Sequence, residues 1–279
     1  MFIRCSPVYP RPVSSPDSSR PAPVLDRVLH PDDTPPDAGA PRPHVTTRAL
    51  AWLGGAALVV VLALLLRGPS EGLYVALTAR TGDLPWTGLV AEGGVLVLVA
   101  LCGVVLLRSR HGGHVAVATT LTAGVGAVLA YGASELVKSV VRQPRGCWEL
   151  VEVAHCPPAG DWSFPSNHTA IAFALATAVV VAGAPAVRLL GGRTPRHAVV
   201  ARPIDVVLWV VLPVALAVVV GAARVAQGAH FPHDVVAGAA VGVGVVVATT
   251  LVLAGPGTTA VHAACRVDGV RRLLVARPF

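Results

Sequence analysis

Apolar runs long enough to cross a bilayer recur along this chain from residue 49 onward, separated by short breaks rich in Gly, Pro and Arg. Six can be traced, at about 49–66, 89–107, 114–137, 166–185, 204–222 and 235–254. Each approaches the roughly 20 apolar residues that a transmembrane helix needs. The second contains Glu92, and the third has a glycine-rich middle. Val, Ala and Leu dominate, and β-branched residues are tolerated where backbone groups can bond only within the helix. The expectation is an all-α, polytopic membrane protein with six transmembrane helices.

The breaks and tails complete the layout. Residues 1–44 are crowded with Pro, Ser, Asp and Arg and lack a hydrophobic period. Such a segment cannot bury enough surface to offset chain entropy, so it reads as a disordered cytoplasmic tail. It also lacks the apolar core of a signal peptide. A membrane domain over 45–255 and a cytoplasmic C-terminal tail over 256–279 follow. The break at 67–88 carries Leu73, Tyr74, Val75, Leu77 and Trp86. It fits a short amphipathic helix lying along the interface, with Trp86 as an anchor, equally with a plain loop.

Composition agrees: 54% hydrophobic residues, 13% charged and a mean hydropathy of +0.67 are too apolar for a soluble domain. The net charge of +7 invites a nucleic-acid reading, but the arrangement of the charge opposes it. Sixteen Lys/Arg fall on the side of the termini and six on the other, so the positive-inside rule places both termini in the cytoplasm. The protein is thus expected in the cytoplasmic membrane, without a nucleic-acid partner. Of the five cysteines, Cys147 and Cys156 share the one long external loop. They form a candidate disulfide pair in an oxidising compartment.

Three polar clusters lie at the external helix ends: Lys138 to Arg145 (KSVVRQPR), Phe164 to Thr169 (FPSNHT) and Ala223 to Asp234 (ARVAQGAHFPHD). Unpaired charges beside hydrocarbon are costly and mark ligand or ion paths. Lys138, Arg145 and Arg224 supply three cations with few carboxylates nearby in sequence. Each would gain roughly 4 kcal/mol from a phosphate about 4 Å away at an effective dielectric near 20. Ser166 is a candidate N-cap, and the helix start behind it suits an anion. His168 lies in the first turn, placed to transfer a proton. His230 and Asp234 are four apart at another helix start, where a carboxylate can orient an imidazole as a nucleophile. By position alone His233 could use Asp234 equally well. Glu135 and Lys138, three apart on one helix face, could pair.

The clusters resemble the signature of the type 2 phosphatidic acid phosphatases, membrane relatives of bacterial acid phosphatases and vanadium haloperoxidases. Lys138 and Arg145 match the first spacing, Pro165, Ser166 and His168 the second, and Arg224, His230 and Asp234 the third. The resemblance implies a six-span lipid phosphate or diphosphate phosphatase with its active site at the external helix ends. It implies phosphate binding by Lys138, Arg145, Arg224, Ser166 and the Asn167 amide. It makes His230 the nucleophile, Asp234 its orienting partner and His168 the general acid and base, with no cofactor and no metal. Gly146, Asn167 and Ala223 depart from the family pattern, where Pro, Gly and Ser stand. Gly146 is expected to loosen its loop, Asn167 to narrow the pocket, and Ala223 to remove a hydroxyl. Two rival readings use the same residues: an anionic-lipid carrier that does not hydrolyse, and a zinc site on His168, His230, His233 and Asp234. Substrate partners are therefore lipid phosphates in the bilayer; oligomeric state is left open.

Overall fold

The computed structural model describes residues 43–82, 84–154, 156–183 and 203–275. The expected tail over 1–44 lies outside the described residues except at its end, as does the stretch 184–202 between the fourth and fifth runs.

Every described element is a helix: α1 Pro43–Leu65, α2 Arg67–Thr81, α3 Trp86–Ser109, α4 Gly113–Val141 and the single turn α5 Gly146–Glu149 come first. Then follow α6 Asn167–Gly183, α7 Pro203–Ala226, α8 Pro232–Ala264 and α9 Asp268–Leu274. Five of them, α1, α3, α4, α7 and α8, are long and apolar enough to cross a membrane. The fourth expected span, α6, is shorter at 17 described residues. Its run of Ala, Val and Leu continues the pattern of the others. Large side chains such as Leu65, Leu89, Val128 and Val140 are exposed. So extensive an apolar surface would be a liability in water and suits lipid.

One boundary differs from the sequence expectation. The last run was expected to stop near 254, before Gly255-Pro256-Gly257, yet α8 continues through Pro256 to Ala264. A mid-helix Pro removes a hydrogen bond and costs about 3 kcal/mol. The extension offsets part of this by burying Val261 and Cys265 against Val117 and Ala118 of α4. Of the two alternatives left open for the 67–88 break, the helix holds over its first part, as α2. Tyr74 and Thr78, one turn apart, are buried on its inner face, whereas Leu73, Val75 and Leu77 are exposed.

Packing centres on α8, which contacts α1, α4 and α6, while α3, α6 and α7 pack on one another. Small residues permit close approach, as is usual between helices in lipid. A Cβ on Gly238 would lie 2.5 Å from the Ser166 carbonyl oxygen, and one on Gly242 would lie 2.5 Å from that of Ala170. These two glycines, one turn apart on α8, draw the start of α6 against the start of α8. Ala174, Ala178, Ala123, Ala130 and Val246 continue the seam below. That close crossing brings the second and third polar clusters together.

Candidate active site

All three clusters meet at one end of the bundle. Lys138 lies in the last turn of α4, Arg145 just before α5, and Asn167 and His168 in the first turn of α6. Arg224 occupies the last turn of α7, while His230 and Asp234 flank the start of α8. Helix α4 ends at Arg142, held in a left-handed conformation (φ 49°), its N–H donating to the Lys138 carbonyl. The chain then turns inward and buries Gln143 and Arg145.

Asp234 is the hub. It is fully buried, and its Oδ2 accepts hydrogen bonds from Ser163 Oγ and, at 2.9 Å, from the Phe231 N–H. The same oxygen is 3.4 Å from His230 Nδ1. Its other oxygen, Oδ1, is 3.2 Å from His233 Nε2, with Gln143 Nε2 at 3.5 Å. The Asp234 carbonyl accepts from the Ser166 N–H at 3.1 Å, joining the second cluster to the third. Both histidines therefore reach Asp234, and their other surroundings distinguish them. His230 Nε2 faces Arg145 Nη1 at 3.4 Å. His233 stacks on the rings of Phe164 and Phe231 and meets Gln143.

Arg145 is 2% exposed and makes contact along its whole guanidinium. Nε donates to the Asp161 carbonyl at 2.6 Å, Nη1 to the Ala229 carbonyl, and Nη2 pairs with Asp161 Oδ1 at 3.0 Å. Lys138 Nζ is 3.4 Å from the same Asp161 oxygen. Lys138 thus pairs with Asp161 and not with Glu135, which instead accepts from Asn167 Nδ2. Ser134 Oγ donates to Asn167 Oδ1 at 2.7 Å, so the Asn167 side chain is tied back to α4. Ser166 is fully buried and its Oγ accepts from Thr169 Oγ1 at 3.0 Å. Arg224, also buried, donates from Nη1 to Gln227 Oε1 at 2.7 Å, while its Nε has no partner among the described residues. His168 is half-buried within electrostatic range of Arg224, Lys138, Arg145 and His230.

The field of this site acts on two groups outside the spans. Burial, followed by the Arg145, Arg224 and Lys138 cations, pushes the His230 imidazole well below its ordinary value. It stands neutral, with a lone pair to offer. For Asp161, burial pushes the carboxyl upward, and the Arg145 and Lys138 cations outweigh it, leaving it below the usual carboxylate range.

Residues 119–255 match the family model described as the PAP2 superfamily. This segment belongs to the PAP2 superfamily. It contains every residue named above from Lys138 to Asp234. A crystal structure of a transmembrane PAP2-type phosphatidylglycerolphosphate phosphatase from Bacillus subtilis is similar over 71% of this chain and 91% of its own, at 16% identity and a TM-score of 0.43. No curated protein sequence matches the chain.

Within the PAP2 segment, Gly146 has a structural reason that sequence reading did not supply. A Cβ there would lie 2.4 Å from the Tyr74 ring. Tyr74 of α2 is fully buried, packs on Phe231 at 4.7 Å and donates from its hydroxyl to the Gly228 carbonyl at 2.8 Å. Gly146 therefore admits a ring that braces the link before His230, where the expectation was a looser loop. Cys147 and Cys156 are joined as a disulfide, closing the loop between Arg145 and Asp161. Sequence reasoning missed Asp161, Ser163, Gln143 and Tyr74. Gln143 lay inside the first cluster and Ser163 next to the second, and proximity was the available signal. Asp161 and Tyr74 carried none.

Proposed function

We propose that this protein is an integral-membrane phosphatase that hydrolyses a lipid phosphate or diphosphate by way of a phosphohistidine. The observation that carries the reading is the placement of His230 between Asp234 and Arg145. Its Nδ1 lies toward Asp234 at 3.4 Å and its Nε2 toward Arg145 at 3.4 Å. With the Nδ1 proton on the Asp234 side, the Nε2 lone pair is directed at the cations that would hold a phosphoryl group. Hydrogen bonds of this length are common in ligand-free sites and shorten around substrate.

In this reading Lys138, Arg145 and Arg224 hold the phosphoryl oxygens, with Ser166 and the Asn167 amide at the start of α6. His230 Nε2 attacks phosphorus, forming the N–P bond as the P–O bond to the lipid breaks. His168 gives its proton to the leaving oxygen. His168 then takes a proton from water, whose oxygen attacks phosphorus, breaks the N–P bond and frees His230 and inorganic phosphate. The cations offset charge on the equatorial oxygens in both steps.

Polyprenyl mono- or diphosphates, phosphatidate and phosphatidylglycerol phosphate are the substrate classes that fit a membrane site of this charge. The positive-inside count supports a site facing outward from the cytoplasmic membrane, with both termini in the cytoplasm. The test is phosphate release from a panel of these lipids by purified protein, alongside folded His230→Ala and His168→Ala variants. The reading expects release by the parent protein and none by either variant. Full activity in either overturns the mechanism. Binding of every lipid with release from none would mark a carrier of anionic lipid.

A further inference from the structure

Asp161 sits where the proposed mechanism leaves no place for a carboxylate. One of its oxygens meets both Lys138 Nζ, at 3.4 Å, and Arg145 Nη2, at 3.0 Å. The neighbouring terminal nitrogen of that same guanidinium is 3.4 Å from His230 Nε2. An anionic oxygen thus already occupies two of the three cations, one of which also faces the nitrogen that would attack phosphorus.

The residue is held in a way that separates main chain from side chain. Arg145 Nε grips the Asp161 carbonyl at 2.6 Å, and the Ser163 N–H, two residues on, donates to the Gln143 carbonyl at 2.8 Å. The backbone is therefore fixed to the floor of the site. The carboxylate is different: its side chain is 47% exposed, against 2% for Arg145 and 9% for Lys138. Water reaches it, so its departure from the cations carries little desolvation penalty. Gly160, in a left-handed conformation (φ 95°), and Pro157-Pro158 precede it on an irregular loop. No helix locks its rotamer.

We propose that Asp161 is an internal competitor for the phosphoryl position, holding Lys138 and Arg145 between turnovers and giving way to the substrate phosphate. A phosphoryl group carries more charge and more acceptor oxygens than a carboxylate, and it can also engage Arg224, which Asp161 does not reach within ion-pair distance among the described residues. Substrate therefore wins the exchange. On the product side the returning carboxylate helps to expel inorganic phosphate, which has lost the anchorage of the lipid. Asp161 is then a residue that sets the affinity for phosphate; it takes no part in proton transfer. This inference rests on the functional reading above.

The experiment uses the purified full chain and inorganic phosphate as the probe. Inhibition by phosphate and the KM for a hydrolysed lipid phosphate are measured in the parent protein, Asp161→Asn, Asp161→Ala and Asp161→Glu. Removing the charge should lower the phosphate inhibition constant and KM together by about three- to tenfold, the range expected for losing two partly exposed ion pairs. Asp161→Glu, which restores a carboxylate, should bind phosphate as weakly as the parent. If Asp161 only positions Arg145, both constants rise in the Asn and Ala variants, and the inference fails. Unchanged constants overturn it as well. A parent protein that neither hydrolyses any lipid phosphate nor is occupied by phosphate defeats the functional reading itself. Turnover with no tightening in the variants defeats only the role of Asp161.

Discussion

Arg145 and Arg224 are both buried cations at the same end of the bundle, yet their surroundings are opposite. Arg145 donates to the carbonyls of Asp161 and Ala229 and pairs with the Asp161 carboxylate. Arg224 gives one hydrogen bond to Gln227, leaves its Nε unmatched, and has no ion pair among the described residues. One side of the site is thus part of the fold's own hydrogen bonding. The other carries an unsatisfied donor, which costs free energy until an acceptor arrives. The contrast separates what builds the site from what serves the ligand.

Replacing each arginine should sharpen this difference. Arg145→Ala is expected to lower kcat/KM by about 10³-fold or more, the loss of a donor to developing charge. It should also cost roughly 2–4 kcal/mol of stability, because buried carbonyls lose their donor. Arg224→Ala is expected to lower kcat/KM by about 10²- to 10³-fold with the melting temperature unchanged or raised. Activity assays and thermal melting in the same detergent check both. Equal destabilisation by the two substitutions would erase the comparison.

The next effect concerns the loop that carries Asp161. The Cys147–Cys156 disulfide closes a short loop on the Arg145 side only. Replacing both cysteines with Ser should lower stability by about 2–3 kcal/mol, as expected for a loop of this length. Phosphate inhibition should change more than it does for loss of a contact on the Arg224 side. In the native protein neither thiol should react with an alkylating reagent until a reductant is added.

The smallest effect is in pH dependence. The Asp161 carboxyl is pushed up by burial, but the Arg145 and Lys138 cations leave it below the ordinary value. Its contribution to stability is complete above the unfolded value of about 3.9 and is lost as pH falls through the lower folded value. Burial and the cations likewise depress His230, so its contribution is complete above about 6.5 and declines as pH falls. Asp161→Asn should therefore melt below the parent near neutrality, lose less stability as pH falls, and converge with the parent at the acidic end. The acid limb of kcat/KM should show no protonation of the nucleophile near pH 6.5.

What could be read in advance follows the same division. The apolar runs announced the helices because lipid demands unbroken hydrophobic length. Lys138, Arg145, His168, Arg224, His230 and Asp234 stood out because charged and imidazole groups are rare at helix ends beside such runs. Residues that brace the site left no such trace. Tyr74 stood among the apolar residues of the 67–88 break with nothing to tie it to a residue 72 positions later, and its partner Gly146 read as a mere departure from a motif. Asp161 sits in an irregular loop, where nothing periodic ties it to cations 16 and 23 residues earlier. The continuation of α8 past Pro256 depended on packing against α4, which local propensity does not record.

The central claim is that His230 carries the phosphoryl group between the two steps. Rapid acid-free quenching of the protein during turnover of a lipid labelled in its phosphate, followed by peptide mapping, tests it most directly. The account predicts an acid-labile, alkali-stable phosphoryl label on His230, absent from His230→Ala. Continued turnover with no such label, or a label on His168 or His233, would contradict it.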